Sequence, residues 1–139
     1  MTPARITLSR APGYRRPEGT IQVDRATIFG NPWQVGDPGI WWMPREDGKA
    51  GWHGYFHMPV SLDNAAAVAL YQDWLLRDTL PAMPRVLSSL GRIAMGLAMD
   101  ARREAILTRL PTLTGHPLGC RCAQGEPCHG DVLVEEANR

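Results

Sequence analysis

The stretch "GCRCAQGEPCHGD", residues 119–131, contains all three cysteines of the chain and one of its four histidines. Side chains two apart on a strand point to the same side, so a strand through this region presents Cys120 and Cys122 to one face. The turn-forming sequence AQGEP then returns the chain to Cys128 and His129 at the start of a helix. The pattern therefore predicts a short strand, a tight turn and a helix that bring three sulfurs and an imidazole together.

Four ligands of this kind suit tetrahedral zinc, and we expect a zinc site at Cys120, Cys122, Cys128 and His129. The C-x-C spacing is tighter than that of a zinc finger, and adjacent Cys and His ligands on one ion are geometrically awkward. If one of the four stays free, the ion keeps an open position and acts as a Lewis acid or activates a nucleophile. Asp131 then orients His129 or accepts a proton, which makes it the candidate catalytic acid or base.

Two alternatives to the metal site remain open. Cys128 at a helix start is expected to have a lowered pKa, and with His129 or His116 as base it would form a metal-free nucleophile of a glycosidase or transferase. The cysteines are otherwise reduced and structural. A disulfide framework is not expected, since three cysteines cannot pair completely and cytosolic thiols stay reduced.

The composition is typical of one small globular domain spanning residues 1–139. Apolar residues make up 44% and charged residues 21%, and the net charge of +1 gives no overall preference for nucleic acid or membrane. No apolar run has the length of a membrane span, so we expect no membrane partner. The N-terminus lacks an export signal, and we expect a cytoplasmic location. The sequence does not indicate an oligomeric state.

The apolar pattern along the chain predicts alternating strands and helices. Strands are expected over residues 4–10 and 19–30, and helices over residues 62–77, 84–110 and 127–138, with Ser61 as the first N-cap and an interruption near Gly96. Residues 36–60 are expected to be irregular, either as a cover over a site or as a surface insertion. The predicted fold is a single α/β or α+β domain, with a short mixed sheet covered by about four helices and a zinc-binding C-terminal segment.

The two longer helices are expected to bury one apolar face each. The predicted buried face of the first consists of Ala65, Val68, Ala69, Tyr71, Trp74 and Leu75. That of the second consists of Val86, Leu87, Leu90, Ile93, Leu97, Ala101, Ala105, Ile106 and Leu110. Met83, Met95 and Met99 are interpreted as residues that fill gaps in the core.

The N-terminal segment combines arginines with the turn sequence "GNPW", residues 30–33. Arg10 and Arg25 are suited to phosphate groups, Asn31 offers a donor and an acceptor for a base edge or carboxylate, and Trp33 offers a stacking face. These four are the candidate substrate-binding residues. The alternative is structural: Asn31 satisfies backbone groups of its own turn, and Arg25 pairs with Asp24 or Asp131.

Two separated segments, "SRAPGYRRPEGTIQVDRATIFGNPW" and "LTGHPLGCRCAQGEPCHGDVLVEEAN", together resemble a family of phage and bacterial proteins known as domain of unknown function 4326. The resemblance implies a small domain in which the GNP turn and the Cys–His segment meet. It also implies chemistry on nucleotides or DNA, such as methylation or another small-group transfer to a 7-deazaguanine base, in the host cytoplasm where the gene is phage-encoded. Where many members have Trp between the first two cysteines, this chain has Arg121.

The hypothesis that combines these observations is a small zinc-binding transferase that modifies a nucleotide or a base in DNA. No G-x-G-x-x-G loop for S-adenosylmethionine is present, so that cofactor would need an atypical pocket. The alternative from another class is a non-enzymatic module that binds nucleic acid or protein and contains structural zinc.

Overall fold

A parallel sheet joins the two ends of the chain in the computed structural model, which describes residues 4–139. Its strands are β1 (Arg5–Thr7), β2 (Ile21–Gln22) and β6 (Leu118–Cys120). Strand β6 lies in the middle, and its Leu118 aligns with Arg5 of β1 and with Ile21 of β2. Gly119 keeps this centre free of a side chain, since a Cβ there would lie 2.7 Å from the Leu8 side chain.

The strand predicted over residues 19–30 is much shorter than expected. Pairing ends at Gln22, and the Asp24 carboxylate then accepts hydrogen bonds from the Gln22 amide at 2.7 Å and from Ala26 N–H at 3.2 Å. An Asp that binds the backbone two residues ahead favours a turn over a strand. Residues 24–31 therefore form a series of turns beside the central strand.

Residues 36–60 were predicted to be irregular, and this prediction was wrong. They form most of a second, antiparallel sheet, whose strands are β3 (Trp33–Gln34), β4 (Ile40–Pro44) and β5 (Trp52–His57). Most of the Gly and Pro residues of this stretch lie outside the strands, while the aromatic residues between them suit paired strands. In place of one mixed sheet, the described residues thus form one parallel and one antiparallel sheet.

Three α-helices occur within residues 4–139: α1 (Asn64–Arg77), α2 (Ser89–Arg109) and α3 (His129–Ala137), with a 3₁₀ helix at Leu110–Leu113. The N-cap of α1 is Asp63 in place of the predicted Ser61, because the Asp63 carboxylate accepts the Ala66 N–H at 2.8 Å. Helix α2 begins at a Ser88 cap, later than predicted, and continues through Gly96 without interruption.

The core lies between the second sheet and the helices, around three tryptophans. Trp33 packs against Trp41 and Trp74, with ring centroids 5.2 and 5.7 Å away. Met95 and Met99 of α2 are fully buried beside them and Met83 is half-buried, as expected for residues that fill gaps.

The faces predicted for α1 and α2 need correction. Tyr71, Trp74 and Leu75 of α1 are buried as expected, but Ala65 and Ala69 are exposed and Val68 is half-buried. On and before α2, four residues predicted to be buried are exposed: Val86, Leu90, Ile93 and Leu97. The prediction failed because an apolar stripe at helical spacing does not reveal whether another element covers it.

The architecture is a small mixed α/β domain, which confirms the predicted fold class. Among the helices of residues 4–139, none combines the length and the apolar character that crossing a bilayer requires.

Candidate functional site

The three cysteines converge at the carboxyl end of the central strand. Cys120 is the last residue of β6, Cys122 follows two residues later, and Cys128 caps the N-terminus of α3. Their sulfurs all lie within 4.8 Å of one another, and those of Cys120 and Cys128 are 2.9 Å apart. Three sulfurs this close form a site that a metal ion can occupy.

Hydrogen bonds among the thiols set their acidity. Hydrogen bonds from Cys122 and Cys128 lower the pKa of Cys120. The same bonds raise the pKa of Cys122 to about 11 and also raise that of Cys128. The lowered pKa predicted for Cys128 is therefore wrong: Gly130 N–H lies 3.4 Å from its sulfur, but the bond to Cys120 has the larger effect.

His129 is buried beside the cluster, between the sulfurs and the end of β2. Its Nε2 lies 2.7 Å from the Val23 carbonyl oxygen, and because a carbonyl can only accept, Nε2 carries the proton. Burial lowers the pKa of His129 and favours the neutral ring, which leaves Nδ1 with a free lone pair. Nδ1 is 3.8 Å from the Cys128 sulfur. The backbone partner of Nε2 is of the kind that orients metal-ligating histidines.

Arg5 fixes the loop that carries the cysteines. Its side chain is only 6% exposed and donates to the Cys120 sulfur at 3.6 Å and to the Cys122 carbonyl at 3.2 Å. It also donates at 3.2 Å to the carbonyls of Ala123 and Glu126. One guanidinium thus satisfies three backbone acceptors of a loop that lacks regular structure.

A cavity of about 390 Å³ adjoins the cluster. Its lining includes Cys122, Cys128 and His129 on one side and Arg10, Arg25, Asp24 and Arg121 on another. The N-terminal half of α1 completes the wall through Asn64, Ala67 and Val68. Three guanidinium groups against one carboxylate give the cavity an excess of positive charge, which favours an anionic ligand.

The family model described as domain of unknown function (DUF4326) matches residues 6–139. The chain belongs to the DUF4326 family. No curated protein and no solved structure matches it. In this DUF4326 protein, the two segments that carried the resemblance meet as expected, since Arg25 and Asn31 line the same cavity as Cys128 and His129.

Asn31 and Trp33 line the cavity, but their main contacts are structural. The Asn31 amide donates to the Ala67 carbonyl at 3.0 Å and its oxygen accepts the Trp33 N–H at 3.0 Å. These bonds join the GNP turn to α1 and occupy both ends of the amide. Trp33 is 1% exposed within the tryptophan core, so its ring offers little surface for stacking.

Arg10 and Arg25 lie at the cavity, as a substrate-binding role requires. Arg25 is half-buried and its Nε donates to the Asn31 carbonyl at 3.0 Å. Its guanidinium also lies 5.9 Å from the Trp42 ring centroid. Burial lowers the pKa of Arg25 from its usual value. Arg10 is exposed at the rim.

Asp131 does not line the cavity. Its carboxylate accepts a hydrogen bond from Arg5 Nε at 2.9 Å and is 55% exposed. The structure therefore brings three of the four predicted metal ligands, the cysteines, within 4.8 Å of one another, while His129 lines the adjoining cavity without belonging to this close group. The predicted arginines line the same cavity, and the predicted acid or base, Asp131, does not.

Sequence reasoning missed three residues of the site: Arg5, Asp24 and Arg121. Arg5 lies 115 positions from Cys120, and no local spacing links them. Arg121 Nε lies 3.4 Å from the Asp24 carboxylate, an ion pair at the cavity edge. Arg121 could have been identified from the sequence. Its side chain alternates with those of Cys120 and Cys122 along the predicted strand, so it points away from the core, towards the cavity edge.

Proposed function

We propose that the protein is a zinc-dependent enzyme that acts on a nucleotide or on a base in DNA by small-group transfer. The observation that carries the proposal is the shared cavity: two residues of the cysteine cluster and three arginines line one volume. A site that combines metal ligands with anion-binding groups is suited to a phosphorylated substrate whose reacting group lies near the ion.

The cysteine cluster fits zinc. Zinc–sulfur bonds of about 2.3 Å in a tetrahedral site place the sulfurs about 3.8 Å apart. The sulfurs of Cys120 and Cys128 are 2.9 Å apart, so they separate by less than about 1 Å to admit the ion. Three protein ligands leave a fourth position, which is the feature that distinguishes catalytic from structural zinc sites. An ion there supplies Lewis acidity or an activated water.

The cavity suits a small phosphorylated molecule. Its volume of about 390 Å³ lies within the range of about 300–1,000 Å³ found for ligand pockets. Arg10, Arg25 and Arg121 present planar donors that match phosphate oxygens in pairs. Among such ligands we propose a nucleotide or a base in DNA, with methyl transfer as the small-group transfer.

A metal-free cysteine nucleophile is the second candidate, and the low pKa of Cys120 favours it. However, Cys120 is fully buried and is not among the residues that line the cavity. Cys122 does line the cavity, but its pKa is raised to about 11 by the bond to Cys120. The thiol whose pKa is lowered, Cys120, does not line the cavity, and Cys122, which does, has a raised pKa, so zinc is the explanation that we propose.

Elemental analysis tests the metal directly. We expect about one zinc per chain in protein purified without chelators, and strongly reduced zinc in Cys122→Ala, which replaces the half-exposed ligand. A folded wild-type protein that lacks metal after zinc-replete expression, with thiols that alkylate stoichiometrically, would contradict the proposal. If Cys122→Ala unfolds, competition of the intact protein with a chromogenic zinc chelator gives the affinity without any substitution.

Calorimetric titration with a nucleoside monophosphate and with inorganic phosphate tests the substrate site. We expect Arg10→Ala and Arg121→Ala to weaken nucleotide binding about 10-fold or more, the loss of one charge-assisted hydrogen bond. Arg109→Ala is the matched control, because Arg109 is exposed at the end of α2 and away from the cavity. If Arg109→Ala weakened nucleotide binding equally, the effect of the substitutions would come from the change in net charge and not from contacts in the cavity. An activity assay with a nucleotide or DNA substrate separates an enzyme from a binding module with structural zinc. We expect turnover by the zinc-containing protein and none by the zinc-free protein.

A further inference from the structure

An apolar stripe on the N-terminal half of α2 is left uncovered within the described chain. Val86 is 75% exposed, Leu90 78%, Ile93 60% and Leu97 63%. Leu90, Ile93 and Leu97 lie in α2 at spacings of three and four residues, which places them on one face of the helix. Val86 lies in the turn that precedes the Ser88 cap. A different face of α2 packs against the core and contains the buried residues Met95, Ala98, Met99 and Ile106.

The apolar surface continues beyond the helix. Val86 and Arg85 line a groove of about 370 Å³ together with residues 55–59 of β5 and its end. Tyr55 and Val60, at this groove and next to it, are each 53% exposed. A run of exposed apolar side chains of this kind is typical of surfaces that another molecule covers.

We propose that the stripe packs against the same stripe of a second copy of this chain, with the two α2 helices antiparallel about a two-fold axis near Ile93. Such an interface is isologous, so that each residue of the stripe faces one from the other end of the same stripe. Leu90 of one copy then faces Leu97 of the other, and Ile93 lies close to its own counterpart.

The charges at the ends of the stripe favour this partner and this orientation. Arg85 precedes the stripe, and Asp100 and Glu104 follow it on the same helix; all three are exposed. An antiparallel pair places Arg85 of each copy beside Asp100 and Glu104 of the other. A parallel pair would instead bring like charges together, which is unfavourable.

The size of the stripe predicts a weak dimer. Its helical part, Leu90 to Leu97, extends over about 11 Å of helix. This length, with Val86 before it, is less than the extent of a standard interface that buries about 800 Å² per partner. We therefore expect a dissociation constant on the order of micromolar and a concentration-dependent mass.

Sedimentation equilibrium of the intact chain between about 1 and 200 µM tests the interface. We expect the wild type to pass from monomer to dimer and Ile93→Glu to remain monomeric, since a charge at the centre would be desolvated. Ala69→Glu on the exposed face of α1 is the matched control and should dimerise as the wild type does. Because Ile93 is 60% exposed, the substitution leaves the fold intact, which circular dichroism verifies. A wild type that stays monomeric, or an Ile93→Glu dimer, overturns the proposal.

Charge reversal tests the orientation. Arg85→Glu alone, and Asp100→Arg with Glu104→Arg, should each weaken dimerisation by roughly threefold to tenfold, as expected for exposed ion pairs. The three substitutions together restore opposite charges across an antiparallel interface and should recover most of the affinity. If the triple variant is weaker than both parents, the antiparallel arrangement is wrong.

Discussion

Arg5 shows how one side chain can organise a loop that has no regular structure of its own. The loop between Cys122 and Cys128 is held by hydrogen bonds that its carbonyl oxygens accept from Arg5 of the neighbouring strand β1. Gly130 permits this approach, since a Cβ there would lie 3.0 Å from the Arg5 side chain. The geometry of the cysteine cluster therefore depends on a residue outside the segment that contains it.

Arg5→Lys should destabilise the protein by about 1–3 kcal/mol, because lysine keeps the charge but cannot replace all of the hydrogen bonds that Arg5 donates to the loop carbonyls. Urea unfolding of the metal-free proteins measures the difference. Asp131→Asn is the comparison: its carboxylate is 55% exposed, and we expect a loss of about 1 kcal/mol or less. Equal losses in the two variants would show that the ion pair with Asp131, not the loop, is what Arg5 stabilises.

The residue types suited to metal binding could be located from the sequence, whereas their partners in the fold could not. The types and spacing of the cysteines and of His129 indicate a metal site, so the cluster could be proposed from residues 119–131 alone. Asn31 was correctly identified as a special residue of the GNP turn, but its two bonds, one to the turn and one to Ala67, favour the structural alternative. To decide between a structural and a substrate-binding role for Asn31, one must know which distant residues contact its side chain, and a local sequence pattern does not contain that information.

Turns and caps determine where the elements of this protein begin and end. The GNP turn begins with a glycine because the chain passes very close to itself: a Cβ on Gly30 would lie 2.4 Å from the Arg25 Cα and 2.9 Å from the Asp24 carbonyl oxygen. This contact sets the position of Arg25 and Asn31 at the cavity. Strand propensity overestimated the length of the second strand because it does not include the turn that the Asp24 carboxylate stabilises.

Gly30→Ala should destabilise the protein by at least about 2 kcal/mol, because backbone atoms must move to accept the methyl group. Gly96→Ala provides the opposite case: it lies in α2, where a Cβ meets nothing within 4 Å, and should stabilise by about 0.5–1 kcal/mol through helix propensity. Thermal and urea unfolding of both variants measure the pair. A tolerated Gly30→Ala would mean that the turn adapts and does not define the cavity.

The distribution of aromatic residues explains the largest error in the predicted elements. Gly and Pro between residues 36 and 60 indicated irregular structure, yet Trp41 and Phe56 face each other across β4 and β5. Trp41 is fully buried, and its indole N–H points to the Met99 sulfur at 3.4 Å. Long-range pairing of this kind outweighs local propensity, so the second sheet was not predictable from composition.

The whole molecule is organised by the return of the C-terminal segment to the N-terminal one. Strand β6 enters between β1 and β2, and this insertion places the cysteines beside Arg5, Asp24 and Arg25. The predicted α/β class required only the order of elements, which periodicity supplies. The register of a central parallel strand depends on residues more than 95 positions apart, and one sequence gives no means to assign it.

Tyr71, which lies in the core next to His129, is expected to make the free energy of unfolding depend on pH. It is fully buried, donates to the Phe29 carbonyl at 2.8 Å and stacks edge-on with His129. Burial raises the pKa of Tyr71 above its usual value of 10.0. The folded protein therefore keeps a proton above about pH 10 that the unfolded chain releases, and the free energy of unfolding falls as the pH rises.

Tyr71→Phe isolates this effect, since every other group titrates alike in both proteins. Near pH 8 the variant should be less stable by about 1–2 kcal/mol, because the Phe29 carbonyl loses its donor. Above about pH 10 the wild type loses about 1.4 kcal/mol per pH unit that the variant does not lose. The two stability curves, measured by urea unfolding from about pH 8 to 11, should therefore converge as the pH rises. A constant difference across that range would mean that Tyr71 ionises as readily in the folded chain as in the unfolded one.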